Sequence, residues 1–84
     1  MAQRILLGKV KAFDMMGSMA ALQLDDEVAV GDHIRVEKDG KGFEQKVADL
    51  RLQNINVRKG FSGNAVQIKL NMPAEEGSSV YKMV

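Results

Sequence analysis

Glycine cuts this chain into short pieces, and that spacing limits what the chain can fold into. Eight glycines but only one proline occur in 84 residues. Between the glycines, apolar and polar residues alternate over short runs, which is the period of a β-strand with one buried face. Runs of this kind, bounded by turn residues, predict an all-β fold.

Several stretches carry the strand pattern, with turn residues between them. Gly8 interrupts the first stretch, which predicts a bulge or a close backbone approach there. Asp39-Gly40 is a strong hairpin signal, and Pro73 is expected to stop a strand ladder. The segment Arg58–Asn64, with two glycines, is predicted to be a loop. The predicted strands are Ile5–Phe13, Met19–Leu24, Ile34–Val36, Phe43–Leu52, Asn54–Val57, Ala65–Leu70 and Val80–Val84.

The fourth of these stretches is ambiguous. Phe43 and Val47 share one face of a strand, whereas Leu50 and Leu52 lie on the other parity. This change of face predicts a bulge or a strand break near Ala48-Asp49. A short helix is the alternative, because the apolar residues of this stretch also stand near helical spacing.

Six or seven short strands with few aromatic residues favour a closed antiparallel β-barrel over a sandwich. Closure removes exposed strand edges, and a chain of this size has no spare helix to cover them. The prediction is a single barrel domain over residues 1–84. Its core is expected to contain Leu7, Val10, Leu22, Leu24, Ile34, Val36, Val47, Val66, Ile68 and Val80.

Composition narrows the functional classes. Twelve basic and eleven acidic residues give a net charge of +1, whereas dedicated duplex-DNA binders carry a strong basic excess. The chain has no cysteine, which excludes a disulfide framework and a thiolate site. The opening Met1-Ala2-Gln3-Arg4 leads into too short an apolar run for a secretion signal, and no run is long enough to span a membrane. A cytoplasmic protein without a membrane partner is therefore expected.

The order of these elements resembles domain II of elongation factor Tu and its relatives, the β-barrel of translation GTPases. The residues that carry the resemblance are Gly8-Lys9-Val10, Val30–Val36, Gly60–Ile68 and Gly77–Lys82. Val30-Gly31-Asp32 before the third long strand is the most specific of them. The chain is also similar to small stand-alone elongation-factor-like barrels and to the C-terminal barrel of collagenase-like peptidases. The resemblance covers roughly residues 6–84 and implies a barrel of the translation-protein type with a role in interaction.

Departures from that pattern bear on function. Gly63-Asn64 stands where Gly-Asp is usual, and Gly77-Ser78 lacks the usual acid after the glycine. No phosphate-binding G-x-x-x-x-G-K-[ST] loop is present, so nucleotide hydrolysis is not expected. The lone His33 and the serines have no triad context. A chain that is not an enzyme and holds no cofactor or metal is predicted.

Charge is polarised along the chain. Between residues 45 and 74, five basic residues accompany one acid, Asp49, whereas Asp25-Asp26-Glu27 and Asp32 form an acidic stretch that is expected to be solvated. Clustered cations beside an aromatic ring can track an RNA backbone. The candidate contacts for RNA or a protein partner are Arg51, Arg58, Lys59, Phe61 and Lys69.

Two apolar features allow two interpretations each. Phe61 could contact a partner from its loop, but the favoured interpretation is that it closes one end of the barrel. Met15-Met16, with Met19, could form a docking patch because methionine adapts to partners. Here too a barrel plug is favoured.

Two functions follow from these observations. The first is a non-catalytic binding module that contacts RNA, the ribosome or a protein. The alternative is a free-standing accessory subunit of a peptidase or another enzyme related to collagenase-like peptidases.

Overall fold

The computed structural model describes residues 3–84. Met1 and Ala2, the first residues of the segment considered as a secretion signal, lie outside the described residues. Residues 3–84 form ten β-strands and no helix, so the all-β prediction is confirmed and the helix alternative is wrong. They consequently contain no helix that could cross a membrane. The strands are β1 (Arg4–Asp14), β2 (Met19–Gln23), β3 (Val28–Ala29), β4 (His33–Lys38), β5 (Lys41–Lys46), β6 (Leu50–Leu52), β7 (Ile55–Asn56), β8 (Lys59–Gly60), β9 (Ala65–Lys69) and β10 (Ser79–Met83).

Eight of these strands form one antiparallel sheet in the order β5-β4-β10-β1-β2-β9-β6-β7. Hairpins join β1 to β2, β4 to β5 and β6 to β7. The last strand, β10, returns to lie between β1 and β4. The remaining two strands, β3 and β8, pair with each other as a separate small sheet.

The segment from β5 to β6 links the two sides of the large sheet. β5 pairs with β4, and β6 pairs with β9. The three residues between them form no strand, which confirms the break predicted near Ala48-Asp49. Because the ladders of residues 3–84 run from β5 to β7 without returning, the closed barrel stays a prediction.

Two local predictions about the backbone are confirmed. Gly8 has φ +150°, the β1–β10 register shifts beside it, and an added Cβ would lie 2.5 Å from the carbonyl oxygen of Gln23. A side chain is therefore excluded at this bulge. Asp39 and Gly40 have φ of 53° and 79°, as a two-residue type I′ hairpin turn requires.

One hydrophobic core holds the sheets together, and all ten predicted core residues are buried. Eight of them lie on β1, β2, β4, β9 and β10, whereas Leu24 and Val47 directly follow β2 and β5. The pairs on β4 and β9 are two residues apart, as the period of a strand requires, and the pair on β1 is three apart because the bulge at Gly8 lies between its members. Five further hydrophobic residues, Met19, Ala20, Val28, Leu50 and Leu70, are also buried. The core of the protein could therefore be predicted from alternation alone.

The strand count was predicted too low, and one loop was assigned wrongly. Three of the ten strands have only two residues. Of these, β7 lies within the predicted Asn54–Val57, whereas β3 and β8 were missed because two residues leave no alternation pattern. Arg58–Asn64 was expected to be a loop, but Lys59-Gly60 pairs with Val28-Ala29. Gly60 is buried against the core, where a Cβ would meet the side chains of Leu24 and Val66. This glycine is needed for space, and not for a turn.

Candidate functional site

The structure separates the predicted contact residues into two groups. Arg51 and Lys69 lie on neighbouring strands of the large sheet, β6 and β9, with their side chains on its outer face. Lys59 lies on β8 of the small sheet, with Arg58 before it and Phe61 after it. The five residues therefore do not form one row along a single sheet.

In the first group, the charge of Arg51 is balanced locally. Its Nε and Nη2 each donate to a carboxylate oxygen of Asp49, both at 3.2 Å. The backbone N–H of Lys69 donates to the carbonyl oxygen of Asp49 at 3.1 Å. A fork of this kind fixes the guanidinium in place, so Asp49 reduces the positive potential that Arg51 can offer an RNA phosphate.

In the second group, Lys59 and Phe61 form a pair. The Lys59 Nζ lies 5.4 Å from the centre of the Phe61 ring and 3.3 Å from a carboxylate oxygen of Glu27. The Phe61 side chain is 54% exposed, so the prediction that it closes an end of the barrel is wrong. A half-exposed ring beside a cation is available for contact with a partner.

The loop that carries Phe61 is held by hydrogen bonds. The Phe61 N–H donates to Oδ1 of Asn64 at 2.9 Å. Leu24 donates its N–H to the Asn64 carbonyl oxygen and accepts a bond from the N–H of Gly63. The Ser62 hydroxyl donates to the Asp25 carbonyl oxygen at 3.2 Å. The ring therefore stands on an ordered turn that loses little conformational entropy on binding.

The methionines at the β1–β2 turn do not close the structure. Met15 and Met16 are 70% and 99% exposed, whereas Met19 is buried. The prediction of a plug is therefore wrong for the first two residues. They lie at the tip of the hairpin because the N–H of Met16 donates to the carboxylate of Asp14 and closes the turn outward.

A shallow groove crosses the outer face of β2 and β9 below the tip of the β6–β7 hairpin. It consists of two adjoining hollows of about 320 and 220 Å³, with Ala21, Asn54 and Gln67 in both. Its floor is made by small residues, and its walls carry amides. Arg51 and Asp14 line one end and Lys11 the other. A groove with this lining can take a polar chain.

A second groove lies between the β4–β5 hairpin and the segment 72–75, with a volume of about 470 Å³. The side-chain amide of Gln45 joins β5 to the chain at the end of β9. Its Nε2 donates to the Lys69 carbonyl oxygen at 2.8 Å, and its Oε1 accepts from the Asn71 N–H at 2.6 Å. Gln45 is only 7% exposed, so a buried side chain replaces a backbone ladder here.

An ionic network that the sequence analysis missed covers the outer face of β1, β10, β4 and β5. His33 Nε2 lies 2.8 Å from Glu44, and Arg35 joins Glu44 to Glu37 at 3.3 and 2.8 Å. Arg4 extends the network to Glu37 at 3.3 Å and stacks on Tyr81, 4.4 Å from its ring centre. The signal was present, because residues 33, 35 and 37 are the polar positions opposite the inward Ile34 and Val36.

The network shifts the titration of two of its members. The hydrogen bond from Arg35 lowers the pKa of Glu37 below its ordinary value, with Arg4 adding to the effect and partial desolvation opposing it. The same hydrogen bond raises the pKa of Arg35. Both shifts favour the charged forms, as expected for an ion pair on a solvated sheet face.

The remaining polar predictions concern the lone histidine and the acidic stretch. His33 is exposed, as its parity predicted. Asp32 accepts a bond from the Ala29 N–H at 2.9 Å and so closes the turn between β3 and β4. Asp26 accepts a bond from the N–H of the next residue, Glu27, at 2.7 Å. Within residues 3–84, no three His, Asp or Glu side chains are grouped so that they could hold a metal ion.

Comparison with known proteins identifies a similar fold. No family model and no curated protein matches the sequence. Among solved structures, the chain is similar to the C-terminal domain of a Geobacillus thermoleovorans protein described as a U32 peptidase. The selenomethionine variant of that domain gives a TM-score of 0.82 at 15% identity, over 90% of this chain and 96% of that one. A second crystal structure of the domain gives 0.82 at 16% identity, over 90% and 89%.

At this identity the likeness is one of fold. It agrees with the expected similarity to the C-terminal barrel of collagenase-like peptidases, the class to which U32 peptidases belong. The likeness to domain II of elongation factor Tu stays a prediction.

Proposed function

We propose that this chain is a non-catalytic accessory module that docks onto a larger protein, with an enzyme chain as its partner. The observation that carries the proposal is the extent of the fold likeness. The alignment covers 90% of this chain and 96% of the C-terminal domain of the U32 peptidase, so nine-tenths of this chain corresponds to one such domain. A closed barrel and a cytoplasmic location belong to the same proposal.

The side chains support a role in binding. Three arginines of the outer face are engaged in ion pairs, in Arg4–Glu37, Arg35–Glu44 and Arg51–Asp49. Residues 3–84 contain one histidine, and it is exposed on the sheet face, whereas an acid–base catalyst needs a group held in a cleft beside its substrate. Rigid apolar and aromatic side chains at the surface are the usual anchors of protein interfaces.

Affinity capture from an extract of the producing cells tests the proposal. The tagged chain is expected to retain one enzyme chain in equal molar amount, at both low and high salt. The purified chain alone is expected to hydrolyse no peptide substrate. Turnover by the purified chain, or capture that yields no stoichiometric protein, would contradict the proposal.

Contact with RNA is the second candidate function, and the Lys59–Phe61 pair favours it. The ring is half exposed beside a cation, which is the arrangement on which nucleobases stack. Arg58, which precedes the Lys59–Phe61 pair in the sequence, and Lys69, which follows it, are both exposed. Among residues 3–84, neither has a carboxylate within 4.0 Å.

Electrophoretic shift with a labelled single-stranded RNA tests this candidate. Binding is expected to weaken steeply with added salt and to weaken further in Arg58→Ala/Lys59→Ala. The matched control is Lys9→Ala/Lys11→Ala, which removes the same charge from β1. Equal loss in both double variants would assign the binding to net charge and reject the predicted contact.

A further inference from the structure

The sulfur chemistry of this chain rests on methionine alone. The sequence contains six methionines and no cysteine, so an oxidant meets thioethers but no thiolate. Oxidation of a methionine adds one oxygen to its sulfur and gives a sulfoxide, which is polar where the thioether is apolar. Because the oxidant must reach the sulfur atom, burial decides which methionines react first.

Burial divides the methionines of residues 3–84 sharply. Met16 is 99% exposed and Met15 is 70% exposed, whereas Met19 on the same hairpin is only 9% exposed. Met72 is half covered where it lines the second groove, and Met83 is partly buried on β10. Within the described residues, Met15 and Met16 are the only exposed large hydrophobic residues that follow each other directly in the sequence.

Backbone contacts hold the β1–β2 turn without help from either exposed thioether. The N–H of Met16 donates to Oδ1 of Asp14 at 3.1 Å, and the carbonyl oxygen of Ser18 accepts a bond from the N–H of Leu70 at 2.8 Å. Asp14 and Met19 pair across the base of the hairpin. An oxygen added to the Met16 sulfur therefore meets water and breaks none of these bonds.

Met19 differs in what its oxidation would disturb. It pairs in register with Lys69 of β9 and lines the hollow of about 220 Å³. A Cβ on Gly17 would lie 3.4 Å from its Cγ, so the turn itself covers part of this side chain. A sulfoxide here would place a polar group among packed neighbours, which is costly. The hairpin thus contains two open methionines and one shielded methionine.

We propose that Met15 and Met16 form a peroxide-oxidation site at the β1–β2 turn, where both thioethers convert reversibly to sulfoxides while the fold stays intact. The sulfur attacks one oxygen of hydrogen peroxide, so an S–O bond forms as the O–O bond breaks. The departing hydroxide takes the proton of the transferred hydroxyl and leaves as water. The sulfur loses two electrons, and the peroxide gains them.

The reverse reaction needs a reductant. Methionine sulfoxide reductases return the sulfoxide to the thioether, while two thiols become a disulfide and the oxygen leaves as water. The exposure of Met15 and Met16 leaves both sulfoxides open to such an enzyme. This inference goes beyond the proposed docking function and does not depend on it.

Peptide mass spectrometry after treatment of the purified chain with dilute hydrogen peroxide tests the proposal. Sulfoxide is expected to form at Met15 and Met16 at least about tenfold faster than at Met19. Urea unfolding of the chain oxidised at the turn is expected to keep the midpoint of the untreated chain. Methionine sulfoxide reductases A and B, supplied with dithiothreitol, are expected to restore the original masses, and both are needed because each reduces one epimer.

A pair of variants assigns the reaction to the turn. Met15→Leu/Met16→Leu removes both sulfurs but keeps apolar side chains of similar volume. After brief treatment this variant should carry about two fewer oxygens per chain than the parent. The matched control is Met72→Leu, which removes a half-covered sulfur and should carry almost as many oxygens as the parent.

Four results would overturn the proposal. Equal rates at Met16 and Met19 would show that the turn does not separate open from shielded sulfurs. Equal uptake of oxygen by the parent and Met15→Leu/Met16→Leu would place the reaction elsewhere. A lower unfolding midpoint after oxidation at the turn alone would show that the fold depends on these thioethers. Sulfoxides that resist both reductases would exclude a reversible site.

Discussion

The two edges of β5 differ in how they are satisfied. On one side, six residues of β5 pair in register with six residues of β4. On the other side, a single side-chain amide makes the only described hydrogen bonds across to Lys69 and Asn71. The same six residues thus form one permanent edge and one open edge, because the facing segment contains a proline and no strand.

This contrast shows that a fully paired strand edge and an unpaired one can belong to the same strand. The sequence Lys41-Gly42-Phe43-Glu44-Gln45-Lys46 alternates inward and outward residues as any strand does. Whether its second edge is covered depends on the distant segment 72–75. Four measurements would break or sharpen the contrast.

The largest effect is expected under the fully paired part of the sheet. Ile68 is 0% exposed, and Ile68→Ala should lower the free energy of unfolding by about 2–5 kcal/mol through lost burial and a cavity. Leu24→Ala should do the same. Urea unfolding measures the change. The matched control is Ile55→Ala, because Ile55 is 66% exposed. Its free energy of unfolding is expected to change by no more than about 0.5 kcal/mol. If the core and surface variants unfold alike, the core assignment is wrong.

The next effect is expected at the open edge. Gln45→Leu keeps the side-chain volume but leaves the Lys69 carbonyl and the Asn71 N–H without their partner, which should cost about 1–3 kcal/mol. Gln67→Leu, on the outer face of β9, is the control and should cost little. Urea unfolding again provides the comparison. A neutral Gln45→Leu would mean that the amide does not hold the two sides together.

Hydrogen exchange compares the two edges directly. The amides of Phe43 and Gln45 point toward β4 and should exchange at least about tenfold more slowly than those of Gly42 and Glu44, which have no ladder partner. Exchange of each amide can be followed by NMR in the isolated protein. Equal protection of the four amides would show that the outer edge is already covered.

The smallest effect concerns the ionic network on the permanent side. The pKa of Glu37 is lowered in the folded protein from the ordinary glutamate value of 4.5. Ionisation of Glu37 therefore stabilises the fold at every pH above 4.5. This contribution is lost as the pH falls through the lower pKa of the folded protein. The difference in melting temperature between the parent and Glu37→Gln should therefore be present near neutral pH and vanish in acid. Added salt should reduce it; a difference that persists in acid would exclude ionisation as its cause.

Much of the interior could be predicted from the sequence, and less of the surface. Alternation places Ile34, Val66 and Ile68 inward wherever one face is buried, because a strand has a period of two. The hairpin at Asp39-Gly40 follows from residues that tolerate positive φ. The contact residues were chosen from charge alone, which carries no information on distance between strands, so Arg51 and Lys59 fall on different sheets.

The errors share a cause. Phe61 and Met16 were expected to close the barrel because they are apolar, but burial of a loop residue depends on the packing of other segments. The short strand at Lys59-Gly60 has no periodicity to recognise, and it forms only because Val28-Ala29 lies beside it.

By itself, the order of residues determined the class of fold, the glycine bulge, the hairpin turn and the buried face of each long strand, since these depend on backbone geometry and local alternation. Only the tertiary structure decided which edges are paired, which cations are balanced by acids and where the chain stays open. Those properties depend on contacts between residues far apart in sequence, such as Gln45 with Asn71 and Lys59 with Glu27, and no local pattern encodes them.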